Sequence, residues 1–222
     1  MSDKLFVQQI RQNGKQASDL GLLKPNVIII DNFLPNPDAV REVALSKKFY
    51  KKTHTAYSCE CSSLSYLMTN LYLSKVLPHI GLAFASTFIE AEFIAYNKQD
   101  EVNNLLNNRW VHFDPCFWVS MLFLNDSITP MDGGGIGFYQ HKQTGLYTRE
   151  QVLEIDGALK QTNQDSGALD TWDELGCVAN VYNRLVIFNP HIFHQAKNYF
   201  GNSITTSRLT LNAYFGPTKT QP

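Results

Sequence analysis

The sharpest chemical feature of the chain is the pentapeptide Trp110-Val111-His112-Phe113-Asp114. In an extended strand residues i and i+2 point to the same face, so His112 and Asp114 converge on one side. An imidazole and a carboxylate placed this way can supply two ligands of a 2-His-1-carboxylate facial triad, which leaves open positions on non-haem Fe(II). The bland reading is an exposed His/Asp pair, since a chain with six histidines produces HxD by chance. A triad needs a second histidine from a distant segment. Arg184-Leu-Val-Ile-Phe-Asn-Pro-His-Ile-Phe-His194 offers two, His191 and His194, just after an apolar run that reads as a buried strand.

Arg208 lies 14 positions beyond His194 on the next expected strand, RLTLNAYF, with Thr210 on its face. A guanidinium in an otherwise apolar strand needs an anionic partner and suits bidentate grasp of a carboxylate. No acidic residue lies on that strand, so the anion is either a ligand, with Thr210 adding a hydrogen bond, or an Asp or Glu elsewhere. Tyr96 on an upstream strand reads, by itself, as a half-buried strand tyrosine. Trp110 shares the parity of His112 and Asp114 and is a pocket candidate, as are Trp118 and Phe138, although strand aromatics are more often core. The run Asp132-Gly-Gly-Gly-Ile-Gly lacks the following helix and lysine of a phosphate-binding loop. It reads as a glycine turn that carries His141 toward substrate or, the preferred alternative, toward solvent.

The elements that must position these residues follow from the pattern. Val27 to Ile30 is a buried strand, and Asn36-Pro37 opens a helix with Val40, Val43 and Ala44 inward. Ser62 to Val76 is a second helix, with Leu64, Leu67, Met68, Leu71 and Tyr72 at core spacing. Beyond residue 86 short aromatic and β-branched runs follow: Phe88 to Tyr96, Arg109 to Asp114, Trp118 to Leu124, Ile136 to Gln140, Tyr182 to Phe188 and Arg208 to Phe215. They predict a mainly β sandwich or barrel. A polar segment at 148–180, with a helix over Arg149 to Leu159, reads as an insertion at the sheet's mouth. We therefore expect a single domain over 1–222: helical support over 1–85 and a β core over 86–216.

With 222 residues, 44% hydrophobic and 12% aromatic, the chain can bury a sizeable core. Nineteen Lys and Arg against twenty Asp and Glu give a net charge of −1 and no bulk electrostatic reason to bind a phosphate backbone, so a nucleic-acid partner is disfavoured. The first 20 residues hold no signal-like apolar run and no stretch is long enough to cross a membrane; the four cysteines form no CxxC pair. A cytoplasmic protein with reduced thiols is expected.

Together, the order HxD, distal His, Arg-x-Thr resembles the Fe(II)/2-oxoglutarate-dependent oxygenase superfamily over about residues 27–216. IIIDNFLPNPDAVREVA resembles the strand-to-helix entry of its prolyl-hydroxylase-like and phytanoyl-CoA-hydroxylase-like branches. WVHFDP, GFYQHKQTG, NRLVIFNPHIFHQ and RLTLNAYF resemble a bacterial and phage branch. The resemblance implies a double-stranded β-helix, a jelly roll, with Fe(II) on His112, Asp114 and the distal histidine. It favours His194 over His191 as that ligand, because Phe188-Asn189-Pro190 supplies the strand end and turn before a histidine that opens the next strand. It also implies that Arg208 grips the C5 carboxylate of 2-oxoglutarate, assisted by Thr210 and Tyr96. The implied reaction consumes O2 and 2-oxoglutarate, releases succinate and CO2, and hydroxylates an amino-acid-like small molecule or a peptide side chain. A homodimer is compatible with it. The rival readings are a cupin-type metalloenzyme that takes no keto acid, and a non-catalytic jelly-roll binding module.

Overall fold

The computed structural model describes residues 7–10, 27–52, 59–81, 87–100, 111–125 and 135–217. Its strands are β1 (Val7–Ile10), β2 (Val27–Ile30), β3 (Tyr50–Lys52), β4 (Cys59–Ser63), β5 (Thr87–Tyr96), β6 (Trp118–Phe123), β7 (Ile136–His141), β8 (Trp172–Val178), β9 (Leu185–Phe188), β10 (His194–Ala196) and β11 (Arg208–Pro217). Among the described residues they form a major sheet of eight strands, in the order β1-β2-β9-β6-β11-β5-β4-β3, and a minor sheet, β10-β7-β8. Pairing is antiparallel except between β1 and β2. A bridge between His112 and His194 adds a fourth, one-residue rung to the minor sheet.

The central strands of the major sheet are buried on both faces, which is why β2 and β9 read as continuous apolar runs, VIII and LVIF, rather than as alternations. Ile28, Ile30, Leu185 and Ile187 point to the outer face, where they meet Ala44 of α1 (Pro37–Ser46) and Tyr72, Leu73 and Val76 of α2 (Tyr66–Val76). Val27, Ile29, Val186 and Phe188 point inward and pack with Ile136, Phe138 and Val178 of the minor sheet. The expected opening of α1 is present: the Asn36 side chain accepts from Ala39 N at 3.2 Å, and Pro37 takes the first helical position.

Several elements differ from the expectation. Ser62 and Ser63 belong to β4, and α2 begins at Tyr66 after Ser65, whose hydroxyl accepts from Met68 N. Its buried stripe is Thr69, Tyr72, Leu73 and Val76, whereas Leu67 and Leu71 are exposed. The helix is apolar almost all round, so the 3.6-residue period did not fix one stripe: Tyr72 and Leu64 face the core as expected, and Leu67 and Leu71 do not. Besides the expected β2, the N-terminal region adds strands β1, β3 and β4 to the major sheet, beyond helical support. The helix expected over 149–159 is broken at Gly157 (φ +76°) into α3 (Arg149–Glu154) and α4 (Ala158–Gln164). The polar segment at 148–180 ends in β8, which pairs along β7, so the excursion from the sheet is shorter than expected. Finally, 111–117 is irregular apart from the single rung at His112; Arg109 and Trp110 lie outside the described residues.

Candidate metal and co-substrate site

His112 and His194 exchange backbone hydrogen bonds, His112 N to His194 O at 3.1 Å and His194 N to His112 O at 2.8 Å. Such a reciprocal pair puts both side chains on one face, and their rings lie 4.3 Å apart. Asp114 is fixed two residues on by its own N–H, which donates to Pro190 O at 2.9 Å. The result is a cluster in which ligand atoms of His112, Asp114 and His194 all lie within 4.8 Å of one another. Asp114 Oδ1 is 3.8 Å from His112 Nε2, and Oδ2 is 3.5 Å from His194 Nε2. Burial pushes the Asp114 carboxyl up, but the hydrogen bond from His194 and the charges of both imidazoles overcome it and leave it below the usual range.

The His194 ring is oriented by its other nitrogen: Nδ1 donates to Ile192 O at 2.8 Å, which turns Nε2 toward Asp114 and His112, where it donates to the carboxylate when protonated and offers its lone pair to a metal when neutral. This donor set, two imidazoles and a carboxylate on one side of an open cleft, fits a divalent first-row metal such as Fe(II). His191 is elsewhere. Its Nδ1 pairs with Glu150 in the first turn of α3, and its ring packs 6.4 Å from Phe117.

The triad opens into a cleft whose walls include Tyr96, Met121, Tyr199, Asn212 and Tyr214. Arg208 lies fully buried behind Tyr96 and Met121, paired in register with Tyr96. Its guanidinium carbon sits 5.3 Å from the Tyr96 ring centre and 5.5 Å from that of Phe123, while Nη2 donates to Met121 Sδ at 3.1 Å and Gly135 O at 3.3 Å. Burial lowers its pKa from the ordinary arginine value. Thr210 shares the face, fully buried, and its hydroxyl has no hydrogen-bond partner among the described residues. A cation and an orphan hydroxyl behind the triad fit the far carboxylate of a dicarboxylic acid.

Three of the four remaining pocket candidates are corrected. Trp118 packs on the outer core with the helices, and Phe138 is fully buried in the inner core; neither lines the cleft. His141 faces neither substrate nor solvent: it is fully buried, with Nδ1 2.9 Å from Thr144 Oγ1, Nε2 2.9 Å from Asp165 Oδ2, and its ring 4.9 Å from that of Trp172. Trp110 lies outside the described residues. Asn212 and Tyr214 were missed, although they continue the parity of Arg208 and Thr210 along β11; Gln195 and Tyr199 carried no comparable signal.

Three solved structures illustrate the likeness. The Pseudomonas putida prolyl-4-hydroxylase is 15% identical over 87% of this chain and 93% of that one, with a TM-score of 0.50. HygX from Streptomyces hygroscopicus, with nickel, 2-oxoglutarate and hygromycin B bound, is 12% identical over 88% and 84%, with a TM-score of 0.53. A Trichoplax adhaerens prolyl hydroxylase in complex with a hypoxia inducible factor peptide fragment is 11% identical over 86% and 84%, with a TM-score of 0.50. At these identities the likeness establishes the fold, the jelly-roll double-stranded β-helix of 2-oxoglutarate oxygenases. No curated protein matches the chain in sequence. The match that covers nearly all of it, residues 12–215, is to a family of unknown function, and the chain belongs to that family, DUF6445.

Proposed function

We propose that the chain is an Fe(II)- and 2-oxoglutarate-dependent oxygenase that hydroxylates an unactivated C–H of an amino-acid-like small molecule or a peptide side chain. One observation carries the reading: the His112, Asp114 and His194 ligand atoms cluster at the mouth of the cleft that Arg208 backs. Among proteins of this fold, one is described with hygromycin B and another with a peptide fragment, so the fold accommodates ligands of either size.

In this reading His112, Asp114 and His194 hold the metal, and Arg208, Thr210 and Tyr96 hold the far end of 2-oxoglutarate. Iron, O2 and the keto acid supply the oxidising power, with release of succinate and CO2. The chain's own residues bind and orient. Ile192 O fixes the His194 ring so that Nε2 keeps its lone pair for the metal. The planar guanidinium of Arg208 offers a two-bond grip on the carboxylate, and the Tyr96 and Phe123 rings beside it limit water that would weaken the pair. The test is spectroscopic. Under anaerobic conditions Fe(II) and 2-oxoglutarate together should give a weak visible charge-transfer band, and admission of air should yield succinate. A protein that binds iron but shows neither the band nor succinate is not a keto-acid enzyme.

A further inference from the structure

We propose that Gln195 and Asn212 form a pair of hydrogen-bond acceptors that selects a substrate presenting an N–H group, an amine or a primary carboxamide, beside the metal triad. This rests on the oxygenase reading above and names the chemistry of the substrate it leaves open. Both residues line the triad's cleft and both are more than nine-tenths buried, at 5% and 3% exposure.

The direction of the Gln195 amide is set by its neighbours. Tyr139 has one hydroxyl proton, which it donates to Glu174 Oε2 at 3.4 Å, and Glu174 is held in turn by Lys197. The Tyr139 oxygen therefore accepts, and it accepts from Gln195 Nε2 at 3.1 Å. Gln195 Oε1 is left as the free end, with no partner among the described residues. Asn212 Nδ2 points to the Tyr214 hydroxyl at 3.5 Å, and its Oδ1 likewise has no partner among the described residues.

A buried carbonyl oxygen without a donor is costly, and two such oxygens on residues that line one cleft mark where donors are wanted. 2-Oxoglutarate cannot provide them: at neutral pH its two carboxylates and ketone only accept. Of the site's two organic ligands, only the substrate can supply donors, and buried water is the competing source. A hydroxyl brings a single proton, whereas an ammonium or a primary carboxamide brings two or three, enough for two acceptors.

The test uses the full chain loaded with Zn(II) in place of iron and with 2-oxoglutarate. The probes are primary amines and primary carboxamides of one to six carbons, each paired with its permethylated counterpart, a trimethylammonium or an N,N-dimethylamide. Saturation-transfer NMR should show the N–H members binding at least tenfold more tightly. Asn212→Leu and Gln195→Leu should erase that preference, whereas Asn212→Asp, which keeps the acceptor, should retain it and shift it toward amines. Equal binding within pairs, or a preference unchanged in both leucine variants, overturns the proposal and assigns the two oxygens to buried water. A separate 2-oxoglutarate titration of the wild-type protein keeps the two readings apart. Co-substrate binding without N–H preference removes only the acceptor pair, and failure to bind 2-oxoglutarate removes the oxygenase reading instead.

Discussion

The His194 ring is held by a bond from Nδ1 to Ile192 O and turns Nε2 into the cluster with Asp114, whereas the His191 ring pairs with Glu150 instead. His112→Ala, Asp114→Ala and His194→Ala should each lose Fe(II) in equilibrium dialysis, while His191→Ala retains it; the reverse pattern for the two distal histidines would move the ligand. Arg208 makes a second prediction. Removing one partner of a buried charged pair costs about 2–5 kcal/mol, so Arg208→Ala should weaken 2-oxoglutarate roughly 30- to 5,000-fold in a titration of the charge-transfer band. Arg208→Lys should recover only part, because an ammonium lacks the planar fork. Superimposed curves would remove Arg208 from the co-substrate site. The Arg-x-Thr pair was legible because strand parity is strict along β11, whereas Asp114 meets His112 from an irregular segment that its N–H to Pro190 O holds in place. His141 was not legible, because its partners, Thr144 and Asp165, stand on segments whose return to β7 no local pattern announces.

At the scale of elements, β7 links the site to the excursion that follows it. Gly135 at its start has no room for a side chain: a Cβ there would stand inside contact distance of Val178 O. Its carbonyl accepts from both Arg208 Nη2 and Lys197 N. Gly135→Ala should therefore lower thermal stability and, by shifting that carbonyl, weaken 2-oxoglutarate more than it weakens iron. At the other end of β7, His141 ties the strand to Asp165 at the C-terminus of α4, and the Trp172 Nε1–H donates to Asp165 O at 2.8 Å. His141→Ala leaves that carboxylate without its partner and opens a cavity, a loss of about 2–4 kcal/mol in urea unfolding with iron affinity retained. Loss of iron instead would return His141 to the site. Periodicity located β5, β6, β7, β9 and β11 to within a few residues. It missed β8, whose WDELGCV mixes polar residues on its exposed side, and β10, which is three residues long.

Across the whole molecule the site is divided between the two sheets. His112 and His194 stand on the rungs of the minor sheet, whereas Arg208, Thr210 and Tyr96 stand on β11 and β5 of the major one. The metal alone joins residues of one side; 2-oxoglutarate, held at one end by the metal and at the other by Arg208, would brace one sheet against the other. A ligand that binds only the folded state adds about 2.7 kcal/mol at a hundred times its dissociation constant, so bracing has a thermal signature. Calorimetric unfolding should show a moderate rise in Tm with Ni(II) or Mn(II), a further rise when 2-oxoglutarate is added, and little effect of 2-oxoglutarate without metal. Arg208→Ala should keep the first rise and lose the second; His194→Ala should lose both. Equal stabilisation by 2-oxoglutarate with and without metal would mean that the keto acid and the triad do not share one site, and the division of labour between the sheets would fall with it.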